Sequence, residues 1–468
     1  VLPDRAMGVE GGLVDVASRM SSIFGVDAAD TLRSFPNAAP ELVETEHAAG
    51  GRAVFLRARR LDGSAGGETT RALRDALARL VEPDIEIDNE EVFALHRVNG
   101  GRDVYFLVNT TFEPQAMTVR MPGELDAAVW DPSSGEERVP ESRVADGRTE
   151  LALELGPVGS VVITPEVRGT RAATPALGRP AATVAVDGEW RFRAEDPNAL
   201  VLDRWRAAPE APGASAEGYA APDVDDDGWQ PVGPGAWAFQ LPSEPDRPWP
   251  IPVWYRFSFA TDRVPSSLHL VVDGFAGSDR RVFLNGEEVT TEPVRSPFDS
   301  QMKTIDLSGH VGEGRNVLAV RLTLESSTDG VTDLLKLIGG FGVSRGDDGV
   351  YRIVPPVERV KPASWTDQGY PFYSGVGVYS TAVEVPPGFA AGRVFLEAPA
   401  GDDALEVVVN GRSAGVRLWP PYAAEVTGLL RDGDNEIELR VANTLANLLN
   451  GDERASGLAE EPRLVAYG

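Results

Sequence analysis

Two short stretches decide the fold of this sequence: VFLNGEEV (282–289) and VVVNGRSAG (407–415). Each begins as a short, mostly apolar run of the kind found in strands and then turns at an Asn-Gly pair. Asn285 and Asn410 each precede a glycine, which suits a type I′ turn because both central residues must tolerate positive φ. The two stretches therefore predict two β-hairpins.

The surroundings of the two hairpins repeat as well. A strand with a tyrosine precedes each hairpin, and Tyr255 and Tyr379 lie 30 and 31 residues before the respective hairpin asparagine. A strand that starts at a glycine and carries an asparagine follows, as GRNVLAVRL (314–322) and GDNEIELRV (433–441). Three matched landmarks in the same order predict a duplicated β-sandwich.

The pattern changes twice upstream of the duplicated part. Residues 83–166 contain short alternating strands separated by turns, which predicts a small antiparallel β-sandwich. Residues 1–82 contain one strand candidate, VFLRA (54–58), and two helix candidates, at 12–24 and 68–81. These elements are too few to cover both faces of a sheet, so we interpret them as part of a flavodoxin-like α/β domain.

The apolar run DLLKLIGGF (333–341) contains two adjacent glycines, and we expect it to form a loop that crosses over the core. The fold class predicted for the whole chain is therefore mainly β, with an α/β segment at its start.

The composition limits the classes of function. Among 468 residues, 72 acidic and 44 basic side chains give a net charge of −28, which opposes binding to the phosphates of nucleic acid. There is no run of eighteen apolar residues, so we expect no membrane partner. The absence of cysteine excludes disulfides and thiolate metal sites.

The compartment stays open, and a bacterial protein that is either secreted or cytoplasmic fits the composition. The sequence begins at Val1 without a signal peptide, so we expect a processed protein or a piece of a longer one.

The repeated pattern resembles the galactose-binding-like jelly roll of glycoside hydrolase family 2. The resemblance lies in the tyrosine-bearing strand, the Asn-Gly hairpin and the glycine-led strand, and DVDDDGWQPVGPGAW (223–237) is similar to the opening of that domain. Three further stretches resemble glycoside hydrolase family 106, the α-L-rhamnosidases: residues 81–111, GEWRFRAEDPNALVLDRWR (188–206) and QGYPFYSG (368–375).

The resemblance covers residues 81–468 and implies two tandem galactose-binding-like jelly rolls, at 167–355 and 356–468. It also implies that the catalytic barrel, with its acid and base glutamates, belongs to an upstream part of the polypeptide, so no residue of this chain inherits a catalytic role. We therefore expect an accessory region that braces the barrel or binds an oligo- or polysaccharide. Two alternatives stay open: a stand-alone lectin-like protein and a structural scaffold without a ligand.

Aromatic side chains are the candidate carbohydrate contacts, because the apolar C–H faces of sugar rings pack on aromatic rings. The candidates lie in Pro- and Gly-rich stretches of the two predicted jelly rolls. They are Trp237, Trp249, Trp365, Tyr370, Phe372, Tyr373, Trp419 and Tyr422. The alternative for each of them is packing inside the protein, since Trp and Tyr are largely buried on average.

Asp223, Asp225 and Asp227 resemble the first half of a calcium loop, in which carboxylates alternate before a glycine. The twelfth position of such a loop requires a bidentate glutamate, but Pro234 occupies it here. An exposed acidic turn is therefore the favoured interpretation, and a structural calcium elsewhere stays open. The four histidines do not have the spacing of a metal pair.

Overall fold

The computed structural model describes residues 5–7, 13–27, 41–48, 50–57, 68–169, 178–202, 205–240, 249–296, 298–346 and 350–468. Strands predominate among these residues and almost all of them pair antiparallel, so the mainly β fold class is confirmed. The chain divides into two compact units, Val1–Pro175 and Ala176–Gly468. None of the described helices combines the length and the apolarity needed to cross a bilayer.

Among its described residues, the first unit begins with four strands and two helices. They are β1 (Arg5–Met7), β2 (Leu13–Asp15), α1 (Val16–Phe24), β3 (Glu41–Glu46), β4 (Arg52–Arg57) and α2 (Glu68–Leu80). The strand and both helices expected here are confirmed, although the first helix begins at Val16 instead of residue 12, but the flavodoxin-like arrangement is wrong for the described residues. β1 pairs with β2, and β3 with β4, in antiparallel hairpins, whose short connections leave no room for the crossover that parallel strands require.

A small β-sandwich completes the first unit, as expected. Its strands are β5 (Glu86–Ile87), β6 (Val92–Asn99), β7 (Arg102–Asn109), β8 (Gln115–Pro122), β9 (Leu125–Trp130), β10 (Glu137–Arg138), β11 (Ser142–Ala145), β12 (Arg148–Leu155) and β13 (Ser160–Val167). One sheet has the order β10-β9-β13-β7-β6 and the other has the order β11-β12-β8-β5. Leu107, Val119, Leu151 and Ile163 fill the core between them.

The second unit contains two larger sandwiches. Its first strands are β14 (Pro180–Ala185), β15 (Trp190–Ala194), β16 (Asn198–Leu202), β17 (Trp205–Pro209), β18 (Gln230–Val232), β19 (Ile251–Thr261), β20 (Leu268–Val272), β21 (Phe275–Ala276), β22 (Ser278–Leu284), β23 (Glu287–Glu288), β24 (Val294–Arg295), β25 (Lys303–Asp306) and β26 (Gly314–Leu324).

The remaining strands are β27 (Gly330–Val331), β28 (Leu335–Gly339), β29 (Gly342–Arg345), β30 (Tyr351–Val354), β31 (Arg359–Val360), β32 (Val376–Val385), β33 (Arg393–Glu397), β34 (Ala404–Val409), β35 (Arg412–Arg417), β36 (Ala423–Glu425), β37 (Gly433–Ala442) and β38 (Arg463–Tyr467). Short helical segments are α3 (Glu217–Ala220), α4 (Ala446–Asn450) and the 3₁₀ turns Trp237–Phe239, Trp365–Asp367 and Phe389–Ala391.

The two larger sandwiches have matching strand orders, so the predicted duplication is confirmed. In the inner sandwich, sheet β17-β19-β26-β22-β23 lies opposite sheet β16-β28-β20-β25. In the outer sandwich, sheet β15-β32-β37-β34-β35 lies opposite sheet β14-β38-β33-β36. Every strand named in one sandwich has a counterpart at the same place in the other.

The predicted boundary between these two domains is wrong at its upstream end. Residues 180–194, which the sequence assigns to the domain at 167–355, form β14 and β15 of the outer sandwich, where they pair with β38 and β32. The inner sandwich, residues 198–354, is therefore inserted between two segments of the outer one. A period of two identifies a strand but does not reveal which sheet it joins.

A pair of asparagines fixes each Asn-Gly hairpin in the same way. Asn285 and Asn410 have φ of 53° and 51°, as the turn requires. Asn285 donates from Nδ2 to Oδ1 of buried Asn316 at 2.8 Å, and Asn410 donates to Oδ1 of buried Asn435 at 2.8 Å. Each hairpin is thereby tied to the start of the long strand beside it, β26 or β37.

Residues 335–339 of the apolar run at 333–341 form strand β28 instead of the expected loop, and all five are buried. The core that contains β28 also includes Leu448 of α4 and Phe372, although they follow β31 in sequence. A strand buried on both faces is apolar throughout and loses the alternation by which strands are recognised.

Candidate functional site

Five of the eight candidate sugar contacts are core residues, so the proposed carbohydrate role is corrected for them. They are Trp365, Tyr370, Phe372, Tyr373 and Tyr422, and none is more than 7% exposed. A ring enclosed by other side chains presents no face to a sugar in solvent.

The hydroxyl groups of the three buried tyrosines are also occupied. Tyr370, Tyr373 and Tyr422 donate to the carbonyl oxygens of Val357, Val376 and Asp403, respectively, at 2.6 to 2.8 Å. Burial raises the pKa of Tyr370 and of Tyr422 to about 12. These groups are therefore satisfied structural donors.

The remaining three candidates lie at or near the surface, where the sugar-contact interpretation stays a prediction. Trp419 is half-buried beside β35, and Trp237 is half-buried against the core of the inner sandwich. Trp249 is 39% exposed, just before β19. Phe239, on the 3₁₀ turn that begins at Trp237, is 87% exposed.

We call residues 233–240, 249–250 and 326–331 the aromatic loop cluster. Its first loop is clamped by backbone hydrogen bonds, from Gly235 N to Val331 O at 2.9 Å and from Trp237 N to Asp329 O at 2.8 Å. The side chain of Gln240 closes the same loop by accepting from Gly233 N at 2.7 Å and donating to Gly235 O at 2.8 Å. Phe239 is thus an exposed ring on a fixed turn.

The close approach of the two loops depends on Gly330, which has φ of 152°. A Cβ atom at this position would lie 2.8 Å from the carbonyl oxygen of Gly235 and 3.4 Å from the hydroxyl oxygen of Tyr255. Tyr255 is the tyrosine of the repeated pattern, and burial raises its pKa. The cluster therefore stands directly on the core of the inner sandwich.

The exposed side chains of the aromatic loop cluster are suited to binding a ligand. Phe239 and Trp249 offer apolar rings, and Ser327 and Thr328 are exposed polar side chains on the adjacent turn. Asp329 is occupied, because its Oδ2 accepts from the backbone N–H groups of Glu325 and Ser326. This combination suits a ligand with apolar faces and hydroxyl edges.

The structure does not bring Asp223, Asp225 and Asp227 together as metal ligands. All three are exposed, and the described residues contain no group of three or more His, Asp or Glu side chains placed to hold a metal. Sequence reasoning missed Asp226 between them, whose Oδ2 accepts from Nε of the buried Arg256 at 2.7 Å. The acidic turn thereby fastens residues 217–229 onto the sheet.

Away from the cluster, Asp403 and His96 are two of the ionisable groups whose pKa values are shifted. Burial raises the pKa of Asp403 to about 7, and its Oδ2 accepts from Gly457 N at 2.7 Å. Hydrogen bonds to Asp84 and Asp103 raise the pKa of His96 in the first sandwich.

Sequence reasoning also missed a surface on the first sandwich. Phe93, Leu95, Phe106 and Trp130 are all exposed on the outer side of its five-stranded sheet. The available signal was β6, in which Val92, Phe93, Ala94 and Leu95 are apolar without alternation. Such a run indicates a strand that is to be covered on both faces.

Comparisons with known proteins place parts of this chain beside glycoside hydrolases. No family model matches the chain. A putative β-glucuronidase of Formosa agariphila is 30% identical over 96 residues, which is 19% of this chain and 8% of that protein. The chain therefore spans only a small part of the length of this relative.

Several solved structures are also similar. A rhamnosidase from Novosphingobium sp. PP1Y has 16% identity and a TM-score of 0.39, over 84% of this chain and 26% of that one. The Streptomyces avermitilis α-L-rhamnosidase complexed with L-rhamnose has 14% identity and a TM-score of 0.27, over 82% and 39%. An exo-chitosanase of Amycolatopsis orientalis has 13% identity and a TM-score of 0.26, over 52% and 29%. The chain is thus similar over part of its length to glycoside hydrolases.

Proposed function

We propose that this chain is a non-catalytic, accessory region of a larger glycoside hydrolase of the α-L-rhamnosidase type, and that it contacts carbohydrate through the aromatic loop cluster. The observation that carries the proposal is the exposure of Phe239 on a turn fixed to the inner sandwich, together with the exposure of Trp249 just before β19. Exposed aromatic rings on a rigid support bind the apolar face of a sugar at little cost in conformational entropy.

Two further observations support the parent enzyme class. The repeated jelly-roll pattern resembles the sugar-binding domains of glycoside hydrolase family 2, and the matching strand orders of the two sandwiches agree with a duplication of such a domain. The short match to a putative β-glucuronidase comes from the same broad class of proteins.

The test is a glycan array with the chain, followed by isothermal titration with the best-bound oligosaccharide. We expect binding by the unmodified chain, and binding about tenfold weaker in the Phe239→Ala/Trp249→Ala variant, a loss of about 1.4 kcal/mol. The matched control is Phe112→Ala, which removes another exposed aromatic ring, from the first sandwich. An array without signal, or full affinity in the double variant, refutes the sugar contact.

Hydrolysis assays test the accessory role separately. We expect the chain to leave aryl rhamnosides and aryl glucuronides intact, because glycoside hydrolysis requires two cooperating carboxyl groups. Hydrolysis that disappears on replacement of a single carboxylate of the chain contradicts the non-catalytic assignment.

A further inference from the structure

Asparagine directly precedes glycine four times in this chain, at Asn99, Asn285, Asn410 and Asn450. In such a pair the backbone nitrogen of the glycine can attack the side-chain carboxamide of the asparagine, because glycine has no Cβ atom to obstruct the approach. The residue before the asparagine is valine or leucine in every case. The reactivity of the four pairs is therefore distinguished mainly by the fold around them.

The side chains of Asn285 and Asn410 are each held by three hydrogen bonds. The partners of Asn285 are Val317 N, His310 O and Asn316 Oδ1, at 2.8 to 3.0 Å. The partners of Asn410 are Glu436 N, Leu429 O and Asn435 Oδ1, at 2.8 to 3.0 Å. Each carboxamide can turn toward the next backbone nitrogen only after these bonds break, so the fold protects both pairs.

The pair at Asn450 is restrained through its glycine. Asn450 is the last residue of α4, and its Nδ2 donates to Asp452 Oδ2 at 3.4 Å. Gly451 ends the helix with φ of 69°, and a Cβ atom on it would lie 3.2 Å from Cγ1 of Val201. The backbone at this pair is therefore packed, although the asparagine is exposed.

The pair at Asn99 has neither kind of restraint. Asn99 is the exposed last residue of β6 and pairs with Arg102 of β7, so Gly100 and Gly101 form a two-residue loop. Neither the side chain of Asn99 nor the N–H of Gly100 forms a hydrogen bond with any described residue. A Cβ atom on either glycine would meet nothing within 4 Å, so both reacting groups lie unhindered at the tip of a hairpin.

We infer that Asn99 is a site of spontaneous covalent modification, at which the Asn99-Gly100 pair rearranges to aspartyl and isoaspartyl products. The backbone nitrogen of Gly100 attacks Cγ of Asn99 and forms a new C–N bond. The side-chain nitrogen leaves as ammonia and takes up the proton that the Gly100 nitrogen loses. Water then opens the succinimide ring at either carbonyl, so the net reaction consumes one water and releases one ammonia.

The modification changes the hairpin in two ways. Both products place a new carboxylate at the tip, on the residue that pairs with Arg102. The isoaspartyl product also adds one carbon to the main chain, which the pairing of Asn99 with Arg102 does not accommodate. Because β6 is the edge strand of its sheet, we expect its amide hydrogen exchange near the tip to become faster in this product.

The test is incubation of residues 1–468 in mildly alkaline buffer, with peptide mapping by mass spectrometry to measure the rate of conversion at each of the four pairs. One hydrogen bond is worth a factor of about five, and three must break, so conversion at Asn285 and Asn410 is expected to be about a hundredfold slower than at Asn99. Conversion at Asn450 is expected to lie between these rates. Equal rates at Asn99, Asn285 and Asn410 overturn the inference.

Two controls separate the fold from the local sequence. In denaturant, where the hydrogen bonds are lost, we expect all four pairs to react at similar rates; a preference for Asn99 that persists there assigns the effect to flanking residues and overturns the inference. Asn99→Gln, whose longer side chain closes a ring far more slowly, is expected to remove most of the isoaspartate that enzymatic methylation detects in the folded chain. An unchanged isoaspartate signal in this variant contradicts Asn99 as the site. None of these results depends on carbohydrate binding or on the parent enzyme.

Discussion

Replacement of Asn316 by alanine tests the paired-asparagine arrangement that defines the duplicated sandwiches. The side chain of Asn316 is fully buried. Its Oδ1 accepts from Gly312 N at 2.8 Å and from Asn285 Nδ2 at 2.8 Å. Its Nδ2 donates to Thr261 Oγ1 at 2.9 Å and to Gly312 O at 2.7 Å.

The alanine variant leaves two half-buried donors, Gly312 N and one N–H of Asn285, without this acceptor, and it removes the N–H that donates to the buried hydroxyl of Thr261. An unsatisfied buried group costs about 1–3 kcal/mol, so the free energy of unfolding is expected to fall by about 2–5 kcal/mol. Chemical denaturation monitored by tryptophan fluorescence measures the change. Hydrogen exchange is expected to place the loss in β22 and β26, next to the hairpin.

The second copy provides an internal comparison. Asn435→Ala breaks the equivalent contacts, from Arg431 N at 3.0 Å and from Asn410 Nδ2 at 2.8 Å, so a similar loss is expected in β34 and β37. The control is Asn99→Ala, which changes an exposed asparagine. A loss below about 1 kcal/mol in both buried variants would refute the view that these asparagines hold the hairpins.

Three further changes test other parts of the structure. The pKa of Asp403 is about 7 in the folded chain and about 3.9 in an unfolded one, so its contribution to stability is present below pH 4 and is lost as the pH rises through 7. The melting temperature of the unmodified chain is therefore expected to be lower at pH 8 than at pH 5, and Asp403→Asn is expected to lack this fall. The same pH dependence in both proteins contradicts the assignment. Phe372→Ala opens a cavity where the two sandwiches meet and is expected to lower the free energy of unfolding, measured by urea denaturation, by about 3–5 kcal/mol. A loss under about 1 kcal/mol would place the ring outside the core. Gly377→Ala puts a Cβ atom 2.5 Å from Cζ3 of Trp365, so overpacking is expected to lower the free energy of unfolding by about 1–3 kcal/mol in urea denaturation. An unchanged denaturation midpoint contradicts close packing at this position.

Local chemistry made the hairpins and the duplication predictable from sequence. An Asn-Gly pair can adopt positive φ at low cost, so the turns at Asn285 and Asn410 can be predicted without information from the rest of the chain. The helix at 68–80 was predictable because its apolar periodicity is also a local signal. Its buried face was not, since Leu77 is exposed and Ala76 is buried.

Long-range contacts explain what the sequence did not reveal. The aromatics at 365–373 have a composition that suits both a sugar site and a core, and only the position of Phe192 and Tyr379 around Trp365 distinguishes the two. β28 lacks alternation because all of its residues are buried, in a core to which Phe372 and Leu448, distant in sequence, also belong. The pairing partner of a strand is likewise set by the tertiary structure, since β14 pairs with the distant β38.

The insertion of the inner sandwich into the outer one has a consequence for synthesis on the ribosome. β14 ends at Ala185, but the strand that pairs with it, β38, begins at Arg463. β14 must therefore wait with an open edge until residues 463–467 have been synthesised, and the core of the inner sandwich is completed only after Phe372 and Leu448 have emerged. A nascent chain stalled before Arg463 therefore carries an exposed strand edge, which is open to pairing with another chain.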